Sequence, residues 1–177
     1  MITMKFLIFI APNEFRDETV SMLKLLLDKF DVESKITSYS TKECIGSHGA
    51  IYKPDINTNL INPLDFDGIF ISDGAGLEIY KLYEFRPFLD LILKFNNANK
   101  YIVAIGNSIK ILAKSNIIKN KRISVPDKDN ELKNFVLLFH GSVSDKDIEI
   151  AGNVVTMKNS EGIDEPMIKF FEHLGIR

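Results

Sequence analysis

Apolar positions along the chain alternate between unbroken runs and helical spacing. Lys5 to Ala11 (KFLIFIA) is a continuous apolar run, the pattern of a strand covered on both faces in a parallel sheet. From Asp17 to Phe30, the residues Val20, Met22, Leu23, Leu26, Leu27 and Phe30 recur at helical spacing, and Asp17 and Glu18 suit the positive N-terminal end of a helix. Val32 to Tyr39 reads as a second strand. Ile45 to Asp55 holds Gly46, Ser47 and Gly49 before a short extended segment closed by Pro54, which predicts a small hairpin excursion.

The second half repeats the alternation. Asp67 to Gly76 (DGIFISDGAG) predicts a buried strand ending in a turn, Glu84 to Asn97 an amphipathic helix, and Tyr101 onward (YIVAIGNS) a strand that breaks straight into a helix over Ser108 to Lys114. Arg122 to Val125 and Phe135 to Phe139 read as further strands. Ile148 to Thr156 forms a hairpin about Gly152 and Asn153, and Ile163 to Leu174 a closing helix. This order predicts a flavodoxin-like three-layer α/β/α sandwich, with a doubly wound, mostly parallel sheet and a small antiparallel addition near the C-terminus. Without internal repeats, low-complexity stretches or linkers, residues 1–177 are expected to form one domain.

Composition narrows the function classes. A 45% apolar fraction in 177 residues is ample for one core, and a formal net charge of -2 supplies no broad positive field for gripping nucleic acid or anionic lipid. The basic cluster Lys119 to Arg122 reads as a solvated connection. The single cysteine, Cys44, excludes an intramolecular disulfide framework and a cysteine-rich zinc site, which fits a reducing, cytoplasmic setting. Phe6 to Ala11 is too short to span a bilayer and is followed by Pro12 and charge, so no membrane association is expected.

In such sheets ligands bind beyond the carboxyl ends of the strands, which directs attention to Asn13–Arg16, Asp73–Gly76 and Gly106–Ser108. The third segment has the form of a nucleophile elbow, a tight strand-to-helix turn with Gly106 at its centre. Other reactive types have plainer readings. Ser108 is expected to cap the start of a helix, because an elbow centred on it would set Lys110 where a small residue is needed. Cys44 reads as a packed or edge cysteine, His48 as a structural hydrogen-bonding residue, and His173 as a helix-end partner of the dipole. His140, at the end of the Phe135–Phe139 segment, is assigned to a surface loop, with approach to the pocket as the alternative. No spacing suggests a metal site, and no cofactor is expected.

Five segments in order resemble the ThiJ/PfpI family of the class I glutamine-amidotransferase-like superfamily. KFLIFIAPNEFRDE is similar to its first strand and acidic loop, GSHGAIYKPD to its Gly-x-His-Gly hairpin, and NPLDFDGIFISDG to the strand before its Pro-Gly-Gly turn. YIVAIGNSIKILAKSNIIKNKRIS is similar to its elbow, helix and next strand, and IEIAGNVVTMKNSEG to its closing hairpin. The resemblance implies intracellular protease, deglycase, glyoxalase or chaperone relatives, and an assembly of at least two copies. It also sets the departures in view. Where the family elbow reads Ala-Ile-Cys-His-Gly, this chain has Ala104, Ile105, Gly106, Asn107 and Ser108, so thiol and imidazole are both missing. Arg16 aligns with the family's loop acid. Gly74 retains the glycine whose amide would help build an oxyanion hole, and Glu78 matches an acid that some members are thought to contribute across a subunit contact.

The expectation is therefore a non-catalytic binding or oligomeric scaffold protein. An anion site is expected among Arg16, Gly74, Asn107 and Ser108, where elbow amides and a guanidinium attract carboxylate or phosphate. The competing reading of Arg16 is a local ion pair with Glu14, Asp17 or Glu18. The alternative function is a family-type hydrolase or deglycase using a non-standard residue, with a glutaminase-like partner subunit weaker still.

Overall fold

The computed structural model describes residues 3–177. In chain order the elements are β1 (Lys5–Phe9), β2 (Asn13–Phe15), α1 (Asp17–Lys29), β3 (Glu33–Ser38), β4 (Cys44–Gly46), β5 (Ile51–Tyr52) and β6 (Ile56–Asn57). Then follow β7 (Gly68–Ile71), α2 (Gly76–Ile79), α3 (Arg86–Asn97), β8 (Tyr101–Ile105), α4 (Ile109–Lys114) and β9 (Arg122–Ser124). The chain ends with α5 (Asn130–Leu138), β10 (Ser142–Ser144), β11 (Ile148–Ala151), β12 (Val154–Met157) and α6 (Asp164–His173).

Seven strands form the main sheet in the order β11-β12-β8-β7-β1-β3-β6. All neighbours are parallel except β11 on β12. The antiparallel addition is thus the hairpin turned by Gly152 and Asn153. Asn153 ties that turn to the neighbouring layer by donating to the Asn96 side chain at 3.0 Å and the Lys100 carbonyl at 2.9 Å.

The unbroken apolar strands explain the three layers. Along β1 and its extension, Leu7, Phe9 and Ala11 enter one core, while Phe6, Ile8 and Ile10 enter the other. The same alternation divides Ile69 and Ile71 from Phe70, and Ile102 and Ala104 from Val103 and Ile105. Helices α3, α4 and α5 close the first core, with Phe9 stacked on Phe88 at 4.1 Å between ring centroids. Helices α1 and α6 close the second, where Phe170 packs edge-on to Phe6 and Phe70. Each buried phenylalanine contributes about 1.5–3 kcal/mol relative to exposure, so these strands anchor the fold.

One expected strand is a helix. Phe135 to Phe139 lies mostly in α5, which begins where the Asp129 side chain accepts the Leu132 amide at 3.0 Å. Leu132 and Val136, four residues apart, face the core, while Leu137 and Leu138 are exposed. Those extra apolar residues mimic a strand run and mask the helical period. His140 then occupies the left-handed turn after α5 (φ 67°), exposed, and its carbonyl accepts the Asn120 amide.

Candidate functional site

The turns after β1, β7 and β8 meet at the carboxyl edge of the sheet, where strand order makes a crevice. The turn after β8 is tight. Gly106 adopts a left-handed φ of 57°, a conformation that a residue with a β-carbon reaches only at about 1–2 kcal/mol. A β-carbon placed there would lie 3.1 Å from Asp73 Oδ2 and 3.2 Å from Asp73 Cβ. The carboxylate of Asp73 therefore occupies the space facing the elbow.

Asp73 follows β7 and is only 8% exposed. The Thr19 hydroxyl on α1 donates to its Oδ1 at 2.7 Å, and the Ser160 hydroxyl, from the loop after β12, lines the same cleft. Burial pushes the Asp73 carboxyl above the ordinary aspartate range, against the opposing pull of those hydroxyls and of the Arg16 guanidinium. Its main-chain carbonyl accepts the Arg16 amide at 3.0 Å, which fixes the first loop over this turn.

Asp73, Arg16 and Gly106 line a cleft of about 320 Å³ together with Lys158, Asn159, Ser160 and Glu161. Arg16 Nε lies 3.6 Å from Glu18 and a terminal nitrogen lies 3.7 Å from Glu161. Both contacts are ionic and longer than a hydrogen bond, so the guanidinium keeps donors for another acceptor. Lys158 is more committed: its ammonium donates to the Asp145 carbonyl at 2.7 Å and lies 3.6 Å from Asp127 and 3.8 Å from Asp147.

The residues expected to bind, Arg16, Gly74, Asn107 and Ser108 with the flanking Glu78 and Gly106, do not converge. Arg16 and Gly106 line this cleft, whereas Asn107 and Glu78 line a separate small cavity with Lys110, Asp129, Glu131, Leu132 and Phe135. Asn107 and Gly74 exchange two hydrogen bonds: the Gly74 amide donates to Asn107 Oδ1 at 3.0 Å, and Asn107 Nδ2 donates to the Gly74 carbonyl at 2.8 Å. The amide expected to serve an anion is thus already bonded. Gly74 must be glycine at this point, because a β-carbon there would come within 3 Å of the main chain of Glu14, Phe15 and Arg16. Ser108 is fully buried; its Oγ accepts the Ile105 amide at 2.8 Å and shares its proton between the Ile71 and Ile105 carbonyls. It binds β7 to β8 beneath the elbow and does not face the cleft.

Glu78 instead faces Lys110, which is held by carboxylates and rings. The Lys110 ammonium lies 3.3 Å from Glu131, 3.5 Å from Glu78, 3.8 Å from the Tyr83 ring centroid and 4.5 Å from that of Phe135. Its side chain is 9% exposed. Desolvation alone would depress its pKa, but Glu131, Glu78 and Tyr83 outweigh that and hold it above the ordinary lysine value.

The remaining candidates lie apart. Cys44 is buried in β4, and burial raises its thiol pKa, unlike an activated nucleophile. His48 Nδ1 lies 3.2 Å from Glu18 on the exposed hairpin, while the His48 and Ala50 amides donate to Asp17. His173 meets Tyr101 edge-on at the end of α6. A broader groove over Lys24, Asp28 and Tyr52 lies along α1 toward the start of β3, away from the strand carboxyl ends. Among the described residues, no group of three or more His, Cys, Asp or Glu is placed to hold a metal ion. Nor is any helix among them long and apolar enough to cross a membrane.

Sequence reasoning missed Asp73 and Lys110. Asp73 opens the Asp73–Gly76 turn already marked for attention, and an acid ending a buried strand was its available signal; Lys110 lies two residues beyond the elbow segment. Their side-chain directions depend on α1, α2 and α5, which are distant in sequence.

Comparison with known proteins fits this geometry. The chain is 29% identical over 160 residues to an uncharacterized protein of Methanocaldococcus jannaschii, covering 89% of this chain and 76% of that one. It is 24% identical over 116 residues to the deglycase PfpI of Pyrococcus furiosus, covering 66% and 69% of the two chains. The fold superposes on the crystal structure of a ThiJ/PfpI domain protein from Brachyspira murdochii with a TM-score of 0.89 at 18% identity, over 99% of this chain and 98% of that one. The DJ-1/PfpI family model matches residues 4–173, and the chain belongs to the DJ-1/PfpI family.

Proposed function

We propose that this chain acts by binding, as a ligand-binding or oligomeric scaffold member of its family, and that its cleft takes a small polar anion. The observation that carries this reading is the paired change at the elbow. Gly106 offers no nucleophile and faces the Asp73 carboxylate, while the Gly74 amide is bonded to Asn107. Covalent catalysis needs a nucleophile beside donors that stabilise developing negative charge; this turn lacks the first, and one of its donors, the Gly74 amide, is already committed. Ser108 and Cys44 are buried and give no substitute at the cleft. The anion site is accordingly drawn at Arg16 and its neighbours Asp73 and Ser160, not at Gly74, Asn107 and Ser108.

One observation favours a second reading, a family-type hydrolase or deglycase with a non-standard group. A buried carboxyl with a raised pKa beside a cleft has the character of a general base, and Asp73 is such a group. Assays of the purified protein with methylglyoxal and with peptide substrates separate the two. No turnover above background is expected. Turnover that disappears in Asp73→Asn, Ser108→Ala or Cys44→Ala establishes the enzyme reading instead. Assembly into at least a homodimer and a cytoplasmic setting belong to the same proposal; light scattering on the purified protein tests the first.

A further inference from the structure

The cleft contains both a cation and a buried acid, and the acid limits what can bind. Arg16 attracts negative charge, but an oxyanion reaching past it toward Gly106 meets the Asp73 carboxylate. Two unprotonated oxygens of like charge facing each other at hydrogen-bonding range repel strongly in a desolvated site. The groups packed around Asp73 do not remove that repulsion. Thr19 from α1 is already spent on Oδ1, Ser160 supplies a neutral hydroxyl, Glu161 adds negative charge, and Lys158 is held by Asp127, Asp147 and the Asp145 carbonyl.

We propose that the cleft selects an oxyanion that carries its own proton, with its charged oxygens on Arg16 and its O–H donating to Asp73. This rests on the anion-binding reading above and names the class of ligand within it. A hydrogen phosphate group, free or as a monoester that retains its proton, fits this pattern. Sulfate has nearly the same size and shape and carries no proton near neutrality, so it serves as the discriminating probe. The shape of the cleft treats the two alike; Asp73 does not.

The experiment is isothermal titration of the whole protein at neutral pH and constant ionic strength with inorganic phosphate and, separately, inorganic sulfate. One hydrogen bond to a charged acceptor corresponds to about a tenfold preference for phosphate. Asp73→Asn keeps the shape and the acceptor for Thr19 but offers N–H donors to either anion, so the preference is expected to fall to about twofold or less. Arg16→Ala is expected to weaken both anions together. Equal binding of phosphate and sulfate by the unaltered protein overturns the selection while leaving anion binding standing. Heat from neither anion overturns both. A phosphate preference that survives Asp73→Asn also overturns the assignment to Asp73.

Discussion

The Asp73 carboxylate lies 3.1 Å from the point at which a β-carbon on Gly106 would stand. Residue 106 and residue 73 therefore compete for one space, on top of the left-handed φ that already disfavours a side chain at the elbow. Gly106→Ala is expected to destabilise the protein by about 1–2 kcal/mol, the cost of a non-glycine residue in that conformation with a tight neighbour. In an Asp73→Gly background the same substitution should cost measurably less. Denaturant melts of the four proteins in a double-mutant cycle give the coupling; strict additivity would show that the two positions are independent.

Asp73 also predicts a pH dependence. Its folded-state pKa is raised, mainly by burial, so the folded chain holds this proton more tightly than the unfolded chain. Stability from this group is fully present below the ordinary carboxylate pKa and is lost as pH rises through the raised folded value. Asp73→Asn should thus melt at a higher temperature than the unaltered protein at neutral pH. The difference should shrink as pH falls across that window. Thermal melts from pH 4 to pH 8 test this, and a difference that grows toward acid would reverse the sign of the shift.

The lock between Asn107 and Gly74 makes a separate prediction. Removing the carboxamide in Asn107→Ala takes away the acceptor of the Gly74 amide and one of the two donors on its carbonyl, which keeps the Leu77 amide, at about 1–2 kcal/mol if water reaches the freed groups incompletely. Amide exchange at Gly74 should accelerate more than exchange in β7, because the turn loosens without the strand. Asn107→Asp retains an acceptor for the Gly74 amide but sets a second oxygen against its carbonyl, so it should not rescue the protection. Exchange at Gly74 unchanged in both variants would mean that the lock contributes nothing to the turn.

Much of the fold was legible because its strands are unbroken apolar runs. β1, β7 and β8 stand out for the same reason that they are buried: helices cover both faces, so no polar alternation is required. The elbow was legible from its small residues and its abrupt change of period. Phe135 to Phe139 misled, since Leu137 and Leu138 remain exposed and lend a helix the look of a strand. The site itself was only half legible. Sequence brings Asp73, Asn107 and Lys110 near the sheet edge, but which cavity each side chain enters is decided by packing among α1, α2, α4 and α5. Asn107 could as well have faced the cleft; its two bonds to Gly74 turn it away.

Lys110 shows what the neighbouring cavity does. An ammonium this deeply placed is stable only while its charge is matched, and Glu131, Glu78 and the faces of Tyr83 and Phe135 provide that match. It therefore joins α4 to α2 and α5. Lys110→Met keeps most of the apolar stem but leaves two carboxylates without their cation, and should cost about 1 kcal/mol, since both carboxylates are largely exposed and can rehydrate. Lys110→Ala also removes the packing and should cost about 2–3 kcal/mol. If the pairing matters as argued, combining Lys110→Met with Glu131→Gln should recover part of the loss, because one unmatched charge is removed along with the cation. Urea melts decide it: a double variant no more stable than Lys110→Met alone would place the whole effect in packing against Tyr83 and Phe135.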